Sequence, residues 1–288
     1  MTNPPLPFPS RKTDAHKGDV GRVLLVGGSR GMAGSISLSS MAALHTGSGL
    51  VSAAVPDRCL ETVASFHPCL MTIPLADDAA GHFASAAVTE IAQQVDAYDA
   101  IGCGPGMGTS DAAIELVELL LQKSDIARVL DADALNALSK TNWGHRQSSK
   151  SGPLILTPHP GELQRLSGVR SSDREQQIKA AHRLAALHDV VVVVKGGPTV
   201  VVDAERKWTN TTGNPGMATG GSGDVLTGVV TSLLGQGMTP WDASRLGVWL
   251  HGAAGDRAAV KHGQAGMTAR ELLDEIPGVM AAYENRCI

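Results

Sequence analysis

The 288-residue sequence is poor in several features that mark common protein classes. Aromatic residues make up only 3% of the chain, which argues against a platform for stacking nucleic-acid bases. No cluster of Lys and Arg could follow a phosphate backbone, and the formal net charge is −4. We therefore predict that the protein does not bind nucleic acid.

Long apolar runs and paired cysteines are also missing. No apolar run reaches the length of a membrane span, and the N-terminus carries prolines instead of an apolar signal core. Cys59, Cys69, Cys103 and Cys287 form no C-x-x-C pair, as is typical of reduced thiols. These absences predict a cytoplasmic protein with no membrane segment.

Familiar catalytic motifs are absent as well. The sequence contains no H-E-x-x-H, no G-x-S-x-G and no G-x-x-x-x-G-K-[ST]. Residues 102–108 carry four glycines, but Met107 stands where the third glycine of G-x-G-x-x-G would fall. A standard dinucleotide fingerprint is therefore not supported. We interpret this loop as backbone that approaches a flat or phosphate-bearing ligand.

What the sequence does contain is a regular alternation of short β-branched runs and longer helical patterns. Strands are predicted at residues 22–27, 50–55, 70–75, 100–103, 128–131, 154–157, 190–195 and 200–203. Helices are predicted at residues 35–46, 83–95, 110–123, 173–188, 224–234, 241–260 and 268–276. Capping boxes are expected where Ser172 precedes Glu175 and where Thr268 precedes Glu271.

This alternation predicts an α/β fold with a mainly parallel sheet covered on both faces. Residues 190–203 are the exception, because two valine-rich runs flank Gly196-Gly197-Pro198 and predict a hairpin. An antiparallel edge should therefore join the sheet. No linker divides the chain, so we predict a single domain over 1–288, in which residues 1–18 form an extended lead-in.

Polar and glycine-rich segments follow four of the predicted strands. They are Gly27-Gly28-Ser29, the loop at 102–108, Asp131-Ala-Asp133 and Thr157-Pro-His-Pro-Gly-Glu162. Ligands of such sheets bind beyond the carboxyl ends of the strands, so these segments predict one shared crevice.

The most informative stretch is Asn214-Pro-Gly-Met-Ala-Thr-Gly-Gly-Ser-Gly-Asp224, which leads into a predicted helix. Gly220, Gly221 and Gly223 allow several N–H groups to converge, and the helix start adds unpaired N–H groups. This pattern predicts a phosphate site. We expect the helix terminus to stabilise Asp224 as the anion, so that it can activate a hydroxyl for phosphoryl transfer.

Other candidate residues have two interpretations each. His159 lies between two prolines on a stiff loop that could position a substrate, although a surface turn is the alternative. Glu162 could cap a short helix or help to hold a metal through water. Lys195 and Thr199 could contact nucleotide phosphates or ribose, or simply belong to a hairpin. For Asp133 we favour a helix cap over cation chelation with Asp131, and for His251 helix packing over catalysis.

The chain resembles the ADP/ATP-dependent NAD(P)H-hydrate dehydratases, a branch of the ribokinase-like superfamily. The resemblance begins near residue 16 and extends to the C-terminus. It is carried by His16-Lys-Gly18, Gly34-Ser35, Gly104-Pro-Gly-Met107, Leu130-Asp-Ala-Asp-Ala134, Leu156-Thr-Pro-His-Pro-Gly-Glu162, Lys195-Gly-Gly-Pro-Thr199, Gly220-Gly-Ser-Gly-Asp-Val-Leu226 and Leu250-His-Gly-Ala253. Many family members have Gly-Thr-Gly-Asp where this chain has Gly221-Ser-Gly-Asp224, and serine keeps the hydroxyl.

This resemblance implies a ribokinase-like three-layer α/β/α sandwich and a set of roles. Asp224 would be the catalytic base. Hydrated NADH or NADPH would contact Ser35, Gly106, His159 and Asp224. ADP or ATP, with Mg²⁺ expected and its ligands left open, would contact Lys195, Gly196, Gly197, Pro198, Thr199, Gly220, Gly221, Ser222 and Gly223. The resemblance also implies a homo-oligomer, specifically a tetramer. Only about 18 residues precede the first strand, so we expect the family's epimerase to be a separate chain.

Two other functions remain open at this point. A small-molecule kinase of the same superfamily would phosphorylate a hydroxymethyl or sugar hydroxyl and release a stable phosphoester. A non-catalytic nucleotide sensor is the third candidate, but a sensor has no need for a carboxylate such as Asp224 beside the transferred phosphate.

Overall fold

The structure is a computed structural model that describes residues 3–141, 143 and 152–284. Nine strands lie within these residues: β1 Arg22–Val26, β2 Leu50–Pro56, β3 Met71–Leu75, β4 Ala100–Cys103, β5 Ala127–Leu130, β6 Leu154–Leu156, β7 Val191–Val194, β8 Val200–Val202 and β9 Lys207–Thr209. The α-helices of this part of the chain are α1 Ala33–His45, α2 Leu60–Ala64, α3 Ser85–Ala92, α4 Asp111–Gln122, α5 Ala132–Leu138, α6 Pro160–Ser167, α7 Arg174–His188, α8 Ser222–Gly235, α9 Pro240–His262 and α10 Ala269–Glu284.

The strands form one sheet in the order β3-β2-β1-β4-β5-β6-β7-β8-β9. All pairs from β3 to β7 are parallel, whereas β7–β8 and β8–β9 are antiparallel. The predicted parallel sheet with an antiparallel hairpin edge is confirmed. The strand order reverses between β1 and β4, which places the expected ligand crevice at the carboxyl ends of these two strands.

Two apolar cores lie on opposite faces of the sheet. Along β1, Val23 and Leu25 pack into one core and Leu24 and Val26 into the other. The first core is closed by α1, α8, α9 and α10, and the second by α3, α4, α5 and α7. Both faces of each central strand are buried. The sequences of these strands are therefore continuous apolar runs and do not alternate between apolar and polar residues.

The predictions missed several short elements. Strand β9 was not predicted, because its three residues are exposed or half-exposed at the sheet edge and give no apolar alternation. Helix α2 was not predicted, and α5 and α6 were anticipated only through the caps expected at Asp133 and Glu162, since 5 to 8 residues hold too few turns for a periodic signal. The predicted end of the last helix at residue 276 was too early, because α10 continues through Pro277.

One of the two predicted capping boxes is wrong. Asp173, not Ser172, is the N-cap of α7, and its side chain accepts a hydrogen bond from Gln176 N. At α10, Glu271 Oε2 accepts from Thr268 N at 2.8 Å, as expected for the second box. The Thr268 hydroxyl, however, accepts from Arg270 N one residue earlier than in the standard arrangement.

The chain before β1 packs onto the first core. Residues 3–18 contain no helix or strand, and Leu6 and Phe8 contact the apolar cluster. The Phe8 ring lies edge-on to Trp249, with ring centroids 6.4 Å apart. Cys59, Cys69 and Cys103 are free thiols, while Cys287 lies outside the described residues. Over the described ranges, every helix is too short or too polar to span a bilayer.

Candidate functional site

The glycine loop leads into α8, as the sequence predicts. Gly221 is the N-cap of this helix and has φ +90°, a left-handed conformation that residues with a Cβ rarely adopt. A Cβ at Gly221 would lie 2.5 Å from Leu38 Cδ1, whereas a Cβ at Gly220 would meet only open space. The conformation and the packing therefore require glycine at 221 but not at 220.

A cavity of about 790 Å³ lies between the β7–β8 hairpin and the start of α8. Seven of the residues predicted to contact the nucleotide line it: Lys195, Gly196, Gly197, Pro198, Thr199, Ser222 and Gly223. His159 also lines this cavity. Gly220, Gly221 and Asp224 adjoin these residues in sequence but are not part of its wall. The structure thus brings two distant sequence motifs to one pocket.

Arg174 at the start of α7 holds the hairpin loop in shape. Its guanidinium donates hydrogen bonds to the carbonyl oxygens of Val194, Lys195 and Pro198 at 2.6–3.0 Å. Burial lowers the pKa of Arg174. The sequence analysis did not identify this residue, because an arginine in the first turn of a helix carries no signal for a distant loop.

A buried charged cluster lies under the pocket. Lys195 Nζ is 2.6 Å from Asp131 Oδ1 and 3.8 Å from Glu162 Oε2. The second oxygen of Asp131 accepts a hydrogen bond from Thr227 Oγ1 at 2.6 Å. Burial alone would lower the pKa of Lys195, but the two carboxylates more than offset this effect and raise the pKa. Lys195 is therefore a cation. Its ammonium group lies next to Gly223, because a Cβ added at Gly223 would be 3.3 Å from Lys195 Nζ.

Asp224 lies in the first turn of α8, but its pKa is raised, whereas the sequence predicted a stabilised anion. Burial raises the pKa of Asp224 to about 6, and the charge of Asp131 adds to the increase. A hydrogen bond with the Ser35 side chain and the charge of Lys195 act in the opposite direction. The expected stabilisation of the anion by the helix terminus is thus outweighed by desolvation. A carboxylate with this pKa can take up a proton near neutral pH.

Ser35 and Gly106 lie next to each other, and the Ser35 side chain interacts with Asp224. Gly106 has φ +67°, and a Cβ there would lie 2.9 Å from Met32 Cβ and 3.1 Å from Ser35 Cβ. Ser29 Oγ donates to Gly106 O at 2.8 Å. The loops after β1 and β4 are therefore joined, as expected where the strand order reverses.

His159 is the N-cap of α6. Its Nδ1 accepts hydrogen bonds from Gly161 N and Glu162 N, and Glu162 Oε2 accepts from His159 N, which completes a capping box. The capping role proposed for Glu162 is confirmed. Burial and the charge of Lys195 lower the pKa of His159, so the imidazole is neutral at pH 7. With Nδ1 acting as an acceptor, the ring proton lies on Nε2.

Two predictions about neighbouring residues need adjustment. Asp133 is not the helix cap, because α5 begins at Ala132 after Asp131; instead Asp133 Oδ2 accepts from Gly108 N at 2.9 Å. His251 lies within α9 as expected, and its Nε2 also hydrogen-bonds Ser222 O at 2.8 Å. Burial lowers its pKa to about 4, so His251 is a neutral anchor for the start of α8.

Comparison with known proteins gives a consistent result. A family model described as NAD(P)H-hydrate dehydratase matches residues 23–278. The chain is 42% identical over 280 residues to a bifunctional NAD(P)H-hydrate repair enzyme of Moorella thermoacetica, covering 96% of the chain and 52% of that protein. It is 37% identical over 284 residues to an ADP-dependent (S)-NAD(P)H-hydrate dehydratase of Neisseria meningitidis, covering 97% and 90%. The chain thus spans about half the length of its bifunctional relatives.

Solved structures agree with the fold. An ADP/ATP-dependent NAD(P)H-hydrate dehydratase from Bacillus subtilis, co-crystallised with ATP and Mg²⁺, has a TM-score of 0.83 at 29% identity and covers 96% of this chain and 95% of that one. A ribokinase-like superfamily protein from Enterococcus faecalis has the same TM-score at 26% identity, with 96% and 92% covered. The expected ribokinase-like architecture is confirmed.

Proposed function

The chain belongs to the NAD(P)H-hydrate dehydratase family, and we propose that it dehydrates hydrated NADH and NADPH with ADP or ATP as the co-substrate. The products are NAD(P)H, phosphate and AMP or ADP. The observation that carries this proposal is the position of Asp224. It directly follows Gly223 of the nucleotide pocket and interacts with the Ser35 side chain. The names of the relatives favour this function over a small-molecule kinase.

The reaction must convert a poor leaving group into a good one. The hydrated ring carries a hydroxyl at C6, and hydroxide does not leave readily. Asp224 accepts the hydroxyl proton while that oxygen attacks the terminal phosphoryl group of the nucleotide, which breaks the bond to the bridging oxygen. The ring nitrogen lone pair then expels phosphate. Loss of the C5 proton restores the reduced nicotinamide.

The nucleotide is held by main-chain groups and one cation in this proposal. The hairpin residues Lys195 to Thr199 and the start of α8 at Ser222 and Gly223 would enclose the phosphates, with main-chain N–H groups of the glycines as donors. Lys195 adds a buried positive charge that Asp131 holds in position. Fixed donors of this kind stabilise the charge that develops on the transferring group and need no reorganisation during the reaction.

The substrate ring lies against Ser35, Gly106 and His159 in the same proposal. Ser35 hydrogen-bonds Asp224 and keeps the carboxylate directed at the ring hydroxyl. His159 contributes a neutral imidazole whose orientation is fixed by the α6 capping box. These residues orient the hydroxyl toward the phosphoryl group, and such orientation accounts for a large share of phosphoryl-transfer catalysis.

Mg²⁺ belongs to the proposal as a partner of the nucleotide. In the part of the chain that the structure describes, no group of three His, Cys, Asp or Glu side chains could hold a metal ion. Mg²⁺ commonly binds through one or two carboxylates together with substrate phosphates. Glu162 is the residue proposed to contribute here, because its buried carboxylate belongs to the charged cluster under the pocket. The ion would neutralise charge on the phosphates.

Assembly and location stay predictions. A homo-oligomer is proposed from the family resemblance alone, and size-exclusion chromatography with light scattering would test for a tetramer. A separate epimerase that supplies the correct substrate epimer and a cytoplasmic location are further expectations.

The decisive experiment measures turnover directly. The protein is mixed with hydrated NADH and ADP or ATP, and the absorbance of reduced nicotinamide is followed. We expect recovery of NADH with one phosphate released per turnover. In Asp224→Asn, turnover should fall by about 10² to 10⁴, the usual contribution of a general base, while ADP binding persists. Near-normal turnover in this variant would remove Asp224 from the mechanism, and formation of a stable phosphoester would favour the kinase.

A further inference from the structure

A second cleft has a volume of about 840 Å³, and Gly34, the residue before Ser35, is part of its wall. The nucleotide pocket includes Gly223, the residue before Asp224. Because Ser35 interacts with Asp224, this pair connects the walls of the two cavities. The nucleotide co-substrate needs only one of them.

The second cleft is formed by the carboxyl ends of three neighbouring strands. Arg30 lies in the loop between β1 and α1, Asp57 directly follows β2, and Asp77 follows β3 by two residues. In parallel α/β sheets this edge is where ligands bind. In dinucleotide-binding folds an acidic side chain near the end of the second strand accepts a hydrogen bond from a ribose hydroxyl. Asp57 occupies the corresponding place in this sheet.

The charges in the cleft are not all available to a ligand. The guanidinium of Arg58 is paired with Asp77 and donates further hydrogen bonds to Asp78 O at 2.7 Å and Ala79 O at 3.1 Å. These contacts raise the pKa of Arg58, chiefly through the Asp77 hydrogen bond. The Arg58–Asp77 pair thus forms a neutral wall of the cleft.

Arg30 and Asp57 remain as the open charged groups. Both are exposed, and neither side chain has a hydrogen-bond or ion-pair partner among the residues that the structure describes. Arg30 is nevertheless anchored, because its N–H donates to Gly81 O at 3.0 Å and its Cβ packs close to Gly81. A cation and a carboxylate that are both open to ligand in one cleft match a ribose phosphate, in which an anion and hydroxyl donors are adjacent.

We propose that this cleft binds the adenylyl half of the hydrated dinucleotide, with Arg30 contacting a phosphate and Asp57 a ribose hydroxyl. The proposal rests on the proposed function, which places the nicotinamide ring at Ser35 and Asp224. From there the dinucleotide extends away from the nucleotide pocket, because the co-substrate fills that side. The phosphate at Arg30 belongs either to the pyrophosphate bridge or to the 2′-phosphate of NADPH, and the test below distinguishes them.

The test compares ligands with and without the adenylyl half. Binding of NADH and of reduced nicotinamide mononucleotide is titrated by nicotinamide fluorescence for the wild type, Arg30→Ala and Asp57→Ala. Arg183→Ala, an exposed arginine on α7, is the matched control. We expect Asp57→Ala to raise the Kd of NADH roughly tenfold, the effect of one charge-assisted hydrogen bond, and Arg30→Ala to raise the Kd of NADPH by a similar factor, while the mononucleotide and ADP bind to both variants as to the wild type.

The NADPH arm identifies the phosphate. If Arg30 contacts the pyrophosphate, Arg30→Ala weakens NADH and NADPH alike; if it contacts the 2′-phosphate, only NADPH is weakened. The proposal is overturned if wild type binds NADH no better than the mononucleotide, or if the cleft variants weaken ADP instead. Turnover of hydrated NADH by the wild type is assayed in parallel. Its absence would refute the proposed function, whereas the binding comparison judges the cleft independently.

Discussion

Lys195 and Asp131 form a buried ion pair, with Nζ 2.6 Å from Oδ1 and side-chain exposures of 17% and 1%. Lys195 directly follows the valine-rich strand β7, and Asp131 directly follows β5, which lies two strands away in the sheet. Thr227 of α8 binds the second carboxylate oxygen. Asp131 therefore connects the hairpin that carries Lys195 to the helix that carries Asp224, and it fixes the spacing between the two charges.

We expect Asp131→Asn to destabilise the protein and to weaken ADP binding. The substitution leaves a buried lysine without its main counter-charge, which costs about 3 kcal/mol at the lower end of the range for broken buried pairs. Glu162 at 3.8 Å compensates in part. Chemical denaturation and ADP titration measure the two effects.

The exposed pair of Lys123 and Asp96 is the matched control for this variant. Its atoms are 2.8 Å apart, but Asp96 is 70% exposed. Asp96→Asn should therefore change the free energy of unfolding by less than about 1 kcal/mol. Equal losses in the two variants would contradict a special role for the buried pair.

We expect the pH dependence of kcat/KM to show an acid limb near pH 6. The base must be ionised to accept the hydroxyl proton, and burial raises the pKa of Asp224 to about 6. As the pH falls through this value, the carboxylate becomes protonated and the rate decreases tenfold per pH unit. Initial rates from pH 5 to pH 8 measure the limb, and ADP binding over the same range controls for loss of the nucleotide.

Ser35→Ala tests the assignment of this limb to Asp224. The Ser35 hydrogen bond lowers the pKa of Asp224, so its removal should move the limb to higher pH. A limb that stays near pH 4, or one that does not move in Ser35→Ala, would mean that another group titrates.

The framework of the fold and the backbone elements that line the pocket at the start of α8 could be predicted from the sequence. Eight strands could be predicted, and most of them are largely apolar runs, because burial on both faces leaves a strong signal; β3, which is mostly exposed or half-buried, is the exception. The glycine loop before Asp224 and the hairpin after Lys195 could be recognised, since their backbone requirements restrict the residue types. The short edge strand β9 gave no such signal, because three mostly exposed residues carry no burial pattern.

The electrostatics of the site could not be predicted in the same way. The pKa of Asp224 depends on burial and on Asp131, which is 93 residues earlier in the sequence and reaches the site only through the sheet. Arg174 and His251 act through hydrogen bonds to carbonyl oxygens, and such contacts place no demand on neighbouring residue types. Arg30 and Asp57 come together only when β1 and β2 lie side by side.

Gly221→Ala and Gly220→Ala form a matched pair that separates backbone strain from ligand contact. Gly221 has φ +90°, and an added Cβ would lie 2.5 Å from Leu38 Cδ1, so Gly221→Ala should lose about 1–3 kcal/mol of stability. Gly220 has open space at the corresponding position, so Gly220→Ala should keep the wild-type melting temperature. If the open space at Gly220 is where the nucleotide phosphates approach the backbone, this variant should still raise the KM for ADP. Thermal denaturation and steady-state kinetics on both variants measure these effects, and a stable Gly220→Ala enzyme with unchanged KM would place the phosphates elsewhere.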